Sequence, residues 1–273
     1  FETDFAGRPW PLFVELLQKN PAAFFAYINA GDHHILSTSP ERFIKQTGTT
    51  LETRPIKGTR PRGKTVARDE ENKQALLGST KDDAELSMIV DLLRNDIGKV
   101  CQPGSVRVTE HKRLEAYDNV FHLVSIVDGQ LKDSADAVDI IAATFPGGSI
   151  TGCPKIRAME IIDELEPSRR HIYTGSIGYI SFHDTLDLSI AIRTATICGA
   201  KLFYSAGGGI VYDSIPADEF DETLAKAATM LNTFSSDTPA HKIHVWLHGK
   251  LESEAQGAVP LSSPGVQYGA GLF

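Results

Sequence analysis

Apolar residues recur with two different periods along this chain. In PLFVELLQKNP (residues 11–21), Leu12, Phe13, Leu16 and Leu17 repeat at helical spacing and Pro21 supplies the stop. In KDDAELSMIVDLLRNDIG (81–98), Leu86, Ile89, Val90 and Leu93 form one apolar face. Ser79 or Thr80 can cap that helix, and Gly98 suits its end. SADAVDIIAATFPGG (134–148) predicts a helix ended by Pro146 and two glycines. TGCPKIRAMEIIDELEP (151–167) restarts helix at once, with Pro154 placed for the first turn. A last helix is expected in ADEFDETLAKAATMLNTF (217–234), packing through Phe220, Leu224, Ala227 and Leu231.

Elsewhere the period is two. AFFAYINAGDHHILSTSPERF (23–43) reads as two strands about a Gly-Asp turn. YTGSIGYISF, LDLSIAIRTATI and LFYSAGG read as strands joined by the turns HDT and CGAK. In the middle one, Leu186, Leu188, Ile190, Ile192 and Thr194 alternate with Asp187, Ser189, Ala191, Arg193 and Ala195. That alternation places Arg193 on the face of small and polar residues. The polar, proline-containing stretch at 235–242 reads as a linker, and KIHVWLHGKL opens a new apolar pattern. Three parts are therefore expected: 1–234, the linker 235–242, and the truncated start of another domain at 243–273.

Composition narrows the function classes. The 273 residues carry a net charge of −8, which argues against nucleic acid or an acidic membrane surface as partner. No apolar run is long enough to cross a bilayer. Cys101, Cys153 and Cys198 fit neither a disulfide framework nor a zinc site, as expected of a cytoplasmic protein.

Two pairs of carboxylates stand out. Asp82 and Glu85 are three apart on one helix, and Glu219 and Glu222 three apart on another, so each pair shares a face. As separate pairs they are solvated helix faces. Together they would surround a hard cation, and oxygen-only ligation suits Mg²⁺. Spacing alone does not bring the two helices together.

Other stretches suit an organic anion. GGSITGCPKIR (147–157) runs from loop into a helix start, where free backbone N–H groups and the Ser149 and Thr151 hydroxyls can donate. SAGGGIVYDS (205–214) follows a strand with three glycines but lacks both the phosphate-loop and the dinucleotide pattern. Arg193 and Lys226 add positive charge, although Lys226 is also four residues after Glu222 and can simply pair with it. His122 and Tyr173 read equally as core residues, and Glu41 as a loop carboxylate.

ETRPIKGTRPRG (52–63) sets Lys57 between apolar Ile56 and Gly58. A solvent-facing lysine needs no such setting. A nucleophilic lysine does, because apolar surroundings favour the neutral amine; the setting of Lys57 alone is compatible with either role.

The motifs SPERF, PIKGT, KDDAELSMIVDLLRNDIGKV, FPGGSITGCPKIRAMEIIDELEP, GSIGY, IAIRT and SAGGGIVYDSIPADEFDET stand in the order of the chorismate-utilising enzymes, which the chain resembles over residues 1 to about 234. The resemblance implies an α/β (α+β) fold with two large, mostly antiparallel sheets packed as a sandwich with outer helices. Relatives carry a further segment before the equivalent of Phe1. It also implies Mg²⁺ at Asp82, Glu85, Glu219 and Glu222. Many relatives have glutamate in place of Asp82, which leaves a bridging water there as an alternative. Tyr173, Arg193, Gly207, Gly209 and Lys226 match positions that hold substrate carboxylates. Ser149 matches a pocket hydroxyl, with Thr151 and Gly152 beside it. His122 matches a histidine near the reacting ring, and Glu41 the general acid/base.

Anthranilate synthases resemble PIAGT where this chain has PIKGT, and the aminodeoxychorismate synthase branch often has the lysine. The resemblance therefore implies that Lys57 attacks the ring of chorismate before ammonia displaces it; a lysine that only blocks the 2-position is the alternative. The ammonia would come from a glutamine amidotransferase. Anthranilate synthesis and a non-catalytic chorismate-binding fragment are the alternatives. The tail, VWLHGKLESEAQGAVPLSSPGVQYGAGLF, resembles the opening of fold-type IV pyridoxal-phosphate enzymes and implies a fused lyase-like domain in the parent chain.

Overall fold

The computed structural model describes residues 1–19, 22–117, 120–212, 214–235, 244–247 and 250–253. In chain order its elements begin with β1 (Glu2–Asp4), α1 (Pro9–Lys19), β2 (Phe24–Asn29), β3 (His33–Ser39), β4 (Arg42–Thr47), β5 (Thr50–Arg54) and β6 (Ile56–Pro61). Next are α2 (Val66–Leu77), α3 (Thr80–Gly98), β7 (Arg107–Ala116), β8 (Val120–Gln130) and α4 (Ala137–Thr144). A single 3-10 turn (Gly148–Ile150) leads to α5 (Lys155–Leu165), β9 (Ser176–Ile180), β10 (Thr185–Ile190), β11 (Thr194–Cys198) and β12 (Lys201–Tyr204). The last are α6 (Pro216–Ser235), β13 (His244–Leu247) and β14 (Lys250–Ser253).

The chain forms two compact units, each built from separated segments. The first takes Phe1–Pro40, Ala158–Ile177 and the chain from Ile190 onward. Its sheet has the order β14-β13-β1-β12-β11-β3-β2. Leu36, Ala195, Ile197, Leu202 and Tyr204 from the strands meet Leu12, Phe13 and Leu16 of α1 and Ala227 and Met230 of α6 in one core. α1 shows the expected apolar face, with Leu12, Phe13 and Leu16 buried. β2 and β3 form the expected hairpin, Phe24 opposite Ser39 and Asn29 opposite His34.

The second unit takes Glu41–Arg157 and Gly178–Ser189. Its sheet runs β6-β8-β5-β4-β10-β9, with β7 also paired to β8. α3 lies against β6, β7 and β8. Leu86, Ile89, Val90 and Leu93 are buried as their spacing predicts. The Ser79 hydroxyl caps the helix by accepting the Asp82 N–H at 3.2 Å. Among the described residues each sheet has seven strands, and every strand pairing with a described register is antiparallel, as the resemblance implies.

One expected strand is two. LDLSIAIRTATI does not run unbroken; it is β10 and β11, members of different sheets. The register shifts between Leu188 and Ser189. Leu188, Ser189, Ile190 and Ala191 are then buried in succession. Alternation fails because the chain is covered on both sides where it leaves one sheet for the other. The linker at 235–242, apart from Ser235, and most of 243–273 lie outside the described residues; β13 and β14 are the described part.

Candidate active site

In the second unit the candidate site is organised by β6. Pro55 divides it from β5, because a residue without an N–H cannot continue the ladder. Beyond it Lys57 pairs with Leu123 and Thr59 with His122, so Gly58 is an extra, bulged residue. Gly58 has φ +70°, in the region that glycine enters without steric cost. A Cβ there would lie 2.8 Å from Leu76 Cδ1 and 3.0 Å from Asp82 Cγ. The missing side chain lets α2 and α3 close on the strand.

Consecutive residues of β6 then reach other expected site positions. Lys57 Nζ donates to the Ser149 carbonyl at 3.4 Å. The Thr59 hydroxyl and His122 Nδ1 are 2.9 Å apart. Arg60 Nη2 donates to Asp82 Oδ2 at 3.1 Å. His122 is buried and meets the Tyr117 ring edge-on, with centroids 5.6 Å apart. Burial pushes the Tyr117 phenol up to about 12, and its hydrogen bond to Glu115 adds to that. Glu85 stands one turn after Asp82 on α3, and Glu41 is buried just before β4.

Ser149 lies in the 3-10 turn, between α4 and α5. The neighbouring Thr151 is buried, and its hydroxyl donates to the Gly147 carbonyl at 3.0 Å. That proton braces the loop, where the sequence pattern suggests a donor to a ligand. Gly152 follows at φ +131°.

The expected anion-binding residues Tyr173, Arg193, Gly207, Gly209 and Lys226 all belong to the first unit. Arg193 holds φ +50°, unusual for a side-chain-bearing residue and a common mark of functional positions. Desolvation lowers its pKa, and the Tyr204 phenol opposes that shift. Burial raises the Tyr204 phenol to about 12, and raises Tyr173 as well. The turn carrying Tyr173 is tied beside Arg193: Thr174 N donates to Ala191 O at 2.9 Å, and Ala191 N to Gly175 O at 2.9 Å.

Glu219, Glu222 and Lys226 lie along α6. Glu219 is buried, and the Ser214 hydroxyl donates to its Oε1 at 2.7 Å. A Cβ on Gly208 would stand 3.1 Å from Glu219 Oε2 and 4.0 Å from Lys226 Nζ. Lys226 donates to the Gly207 carbonyl at 3.3 Å and pairs with Glu222 at 2.6 Å. The i,i+4 pairing is therefore present, and the same ammonium also reaches the glycine strip that contains Gly209. The backbone there approaches the carboxylate because no side chain intervenes.

Asp82 and Glu85 belong to one unit, Glu219 and Glu222 to the other. Among the described residues no group of three or more His, Cys, Asp or Glu is placed to hold a metal ion. As a donor set the four are all carboxylate oxygens, which suits Mg²⁺. Sequence reasoning misses Tyr204, whose burial in strand β12 gives only a core signal, and Arg60, hidden among several arginines.

The sequence matches the family described as chorismate binding enzyme over residues 1–232. It is 50% identical over 232 residues to aminodeoxychorismate synthase component 1 of Salmonella typhimurium, covering 85% of this chain and 51% of that one. It is 45% identical over 231 residues to anthranilate synthase component 1 of Aquifex aeolicus, covering 85% and 47%. The fold matches the crystal structure of anthranilate synthase component I from Streptococcus pneumoniae with a TM-score of 0.76 at 38% identity, covering 84% and 51%. The chain thus spans about half the length of the relatives it matches. With the family's motifs and its antiparallel sheets both present, the chain belongs to the chorismate binding enzyme family.

Proposed function

We propose that the chain is the chorismate-binding part of an aminodeoxychorismate synthase, converting chorismate and ammonia to 4-amino-4-deoxychorismate. The observation that carries this reading is Lys57. A primary amine stands on the β6 bulge with Ser149 on one contact and the Asp82 helix beside Gly58. The relatives bearing the aminodeoxychorismate synthase name at about half identity support it.

Arg193, Lys226 and the backbone of Gly207 and Gly209 bind the substrate carboxylates, with Tyr173 bordering them. Charge-assisted hydrogen bonds suit this task. Lys57 Nζ forms a bond to C2 of the ring. The two ring double bonds shift towards C4, and the C4–O bond breaks. Glu41 gives its proton to the departing hydroxyl, which leaves as water. Ammonia then bonds to C4, the double bonds return, and the C2–N bond breaks with its electrons going back to Lys57. Two displacements replace one difficult substitution. His122, held by Thr59, lies beside the ring.

Asp82, Glu85, Glu219 and Glu222 would hold Mg²⁺, directly or through water at Asp82. When bound, that ion supplies positive charge for a ring carboxylate and the leaving oxygen. The ammonia comes from a partner glutamine amidotransferase. The tail from residue 243 is the start of a lyase-like domain, and the protein works in the cytoplasm.

The test is incubation of the folded protein with chorismate, Mg²⁺ and ammonium, with products identified by mass spectrometry. An amine that retains the enolpyruvyl group is expected. Anthranilate with free pyruvate would assign the chain to the other branch. Mg²⁺-dependent chorismate binding without turnover would make it a binding fragment.

A further inference from the structure

Asp96 and Lys155 form an ion pair that the proposed chemistry does not use. Asp96 is only 1% exposed. One of its oxygens takes the Lys155 ammonium, and the other takes Lys99 Nζ at 3.0 Å. Lys155 also donates to the carbonyls of Thr144 at 2.9 Å and Pro146 at 2.7 Å. Lys99 donates to Ala143 O at 3.2 Å. The two ammonium groups thus satisfy carbonyls at the end of α4 and in the loop that follows.

Such a cluster is a costly way to join two helices. Desolvating paired charges commonly offsets their attraction, so a buried pair adds little net stability. Burial pulls the Lys155 amine down, and Asp96 only partly restores it. What the cluster does supply is fixed geometry. The loop is held to α3 on both sides of Ser149. Before it, a Cβ on Gly148 would stand 2.8 Å from Leu92 Cδ2. After it, Lys155 is locked to Asp96. Between these points the Ser149 carbonyl accepts from Lys57.

We propose that Asp96 and Lys155 are positioning residues for Lys57, acting through the Ser149 carbonyl. An amine donating one N–H to a fixed carbonyl has its lone pair held in one direction. A nucleophile held in this way gains rate through orientation, not through substrate affinity. The inference rests on Lys57 being the attacking amine.

Lys155→Met in the full protein is expected to lower kcat about tenfold while leaving KM for chorismate within about twofold. Lys155→Arg recovers most of the rate. Acylation of Lys57 by a small amine-reactive ester, followed by peptide mass spectrometry, reads the amine without turnover. Its rate is expected to change at least about threefold in Lys155→Met, with Lys19 and Lys201 as internal controls. If Lys155→Met does not fold, Asp96→Asn and Gly148→Ala replace it. Folded variants with an unchanged Lys57 acylation rate overturn the proposal. So does loss of folding in all three, which would make the cluster a requirement of the fold alone. If Lys57→Ala still makes the amine while Lys155→Met alters Lys57 acylation, the function assigned to Lys57 fails, and with it the catalytic value of the cluster, while its hold on the Lys57 amine stands.

Discussion

Arg60 and Asp82, twenty-two residues apart, are joined by a 3.1 Å ion pair between β6 and α3. The first of the four proposed Mg²⁺ ligands therefore carries a cation already. One of its oxygens is turned to the guanidinium, which fits an indirect contact with the ion better than a bidentate one.

Removing that competing cation should strengthen metal binding. Arg60→Gln is expected to lower the Mg²⁺ concentration for half-maximal turnover by a few-fold, roughly the effect of one partly exposed charge. A titration of initial rate against Mg²⁺ reads this directly. An unchanged midpoint would uncouple Asp82 from the ion.

Gly58→Ala should destabilise the second unit by about 2 kcal/mol, from a left-handed backbone and a crowded Cβ together. Gly48 has φ +57°, and a Cβ placed there would meet nothing within 4 Å. Gly48→Ala should therefore lose only the conformational part, about 1 kcal/mol. Urea unfolding of both variants separates the two contributions. Equal losses would mean that the approach of Leu76 and Asp82 is soft.

Asp69 gives a pH prediction. The Arg62 guanidinium, with the Gly63 N–H, holds its pKa down to about 2 from the usual carboxylate value. A depressed folded-state pKa contributes stability that is present above the usual value and lost as pH falls towards 2. The melting temperature should therefore fall between about pH 4 and pH 2. In Asp69→Asn that part of the fall should be smaller. The pair lies at the surface, so high salt should shrink the difference. Parallel pH curves for the two proteins would remove the clamp from the account.

The cysteines differ in reactivity. Cys101 is buried and desolvation raises its thiol to about 11, whereas Cys153 and Cys198 are exposed. At about pH 8 two thiols should react quickly with a thiol-selective chromophore, and the third only after denaturation. Rapid reaction of all three would show that the strands around Cys101 open readily.

Parts of the fold are legible in the sequence because local chemistry and tertiary need agree. The face of α3, its Ser79 cap and the β2–β3 hairpin are examples: each residue type suits its element without help from distant contacts. α2 escapes such reading, because VARDEENKQALL buries only Leu76 and has no apolar stripe to announce it. Arg193 stands out in the sequence through an alternation that the fold does not keep. Its strand breaks at a left-handed residue that a period of two cannot show. Lys57 is conspicuous for its neighbours in sequence, yet its partner is ninety-two residues away, a distance over which spacing carries no information. The Thr151 hydroxyl looks available for a ligand, and only the folded loop shows its proton committed to Gly147.

The division of β10 and β11 between two sheets has a consequence for synthesis on the ribosome. β3 waits for β11, and β4 for β10, across about 150 residues of intervening chain. Until β10 and β11 emerge, each nascent sheet has an open edge of unpaired N–H and C=O groups. Such edges recruit other strands. Slow translation or an early stop before Thr185 would therefore leave two sticky half-sheets, and chaperone demand should rise with the length of that pause.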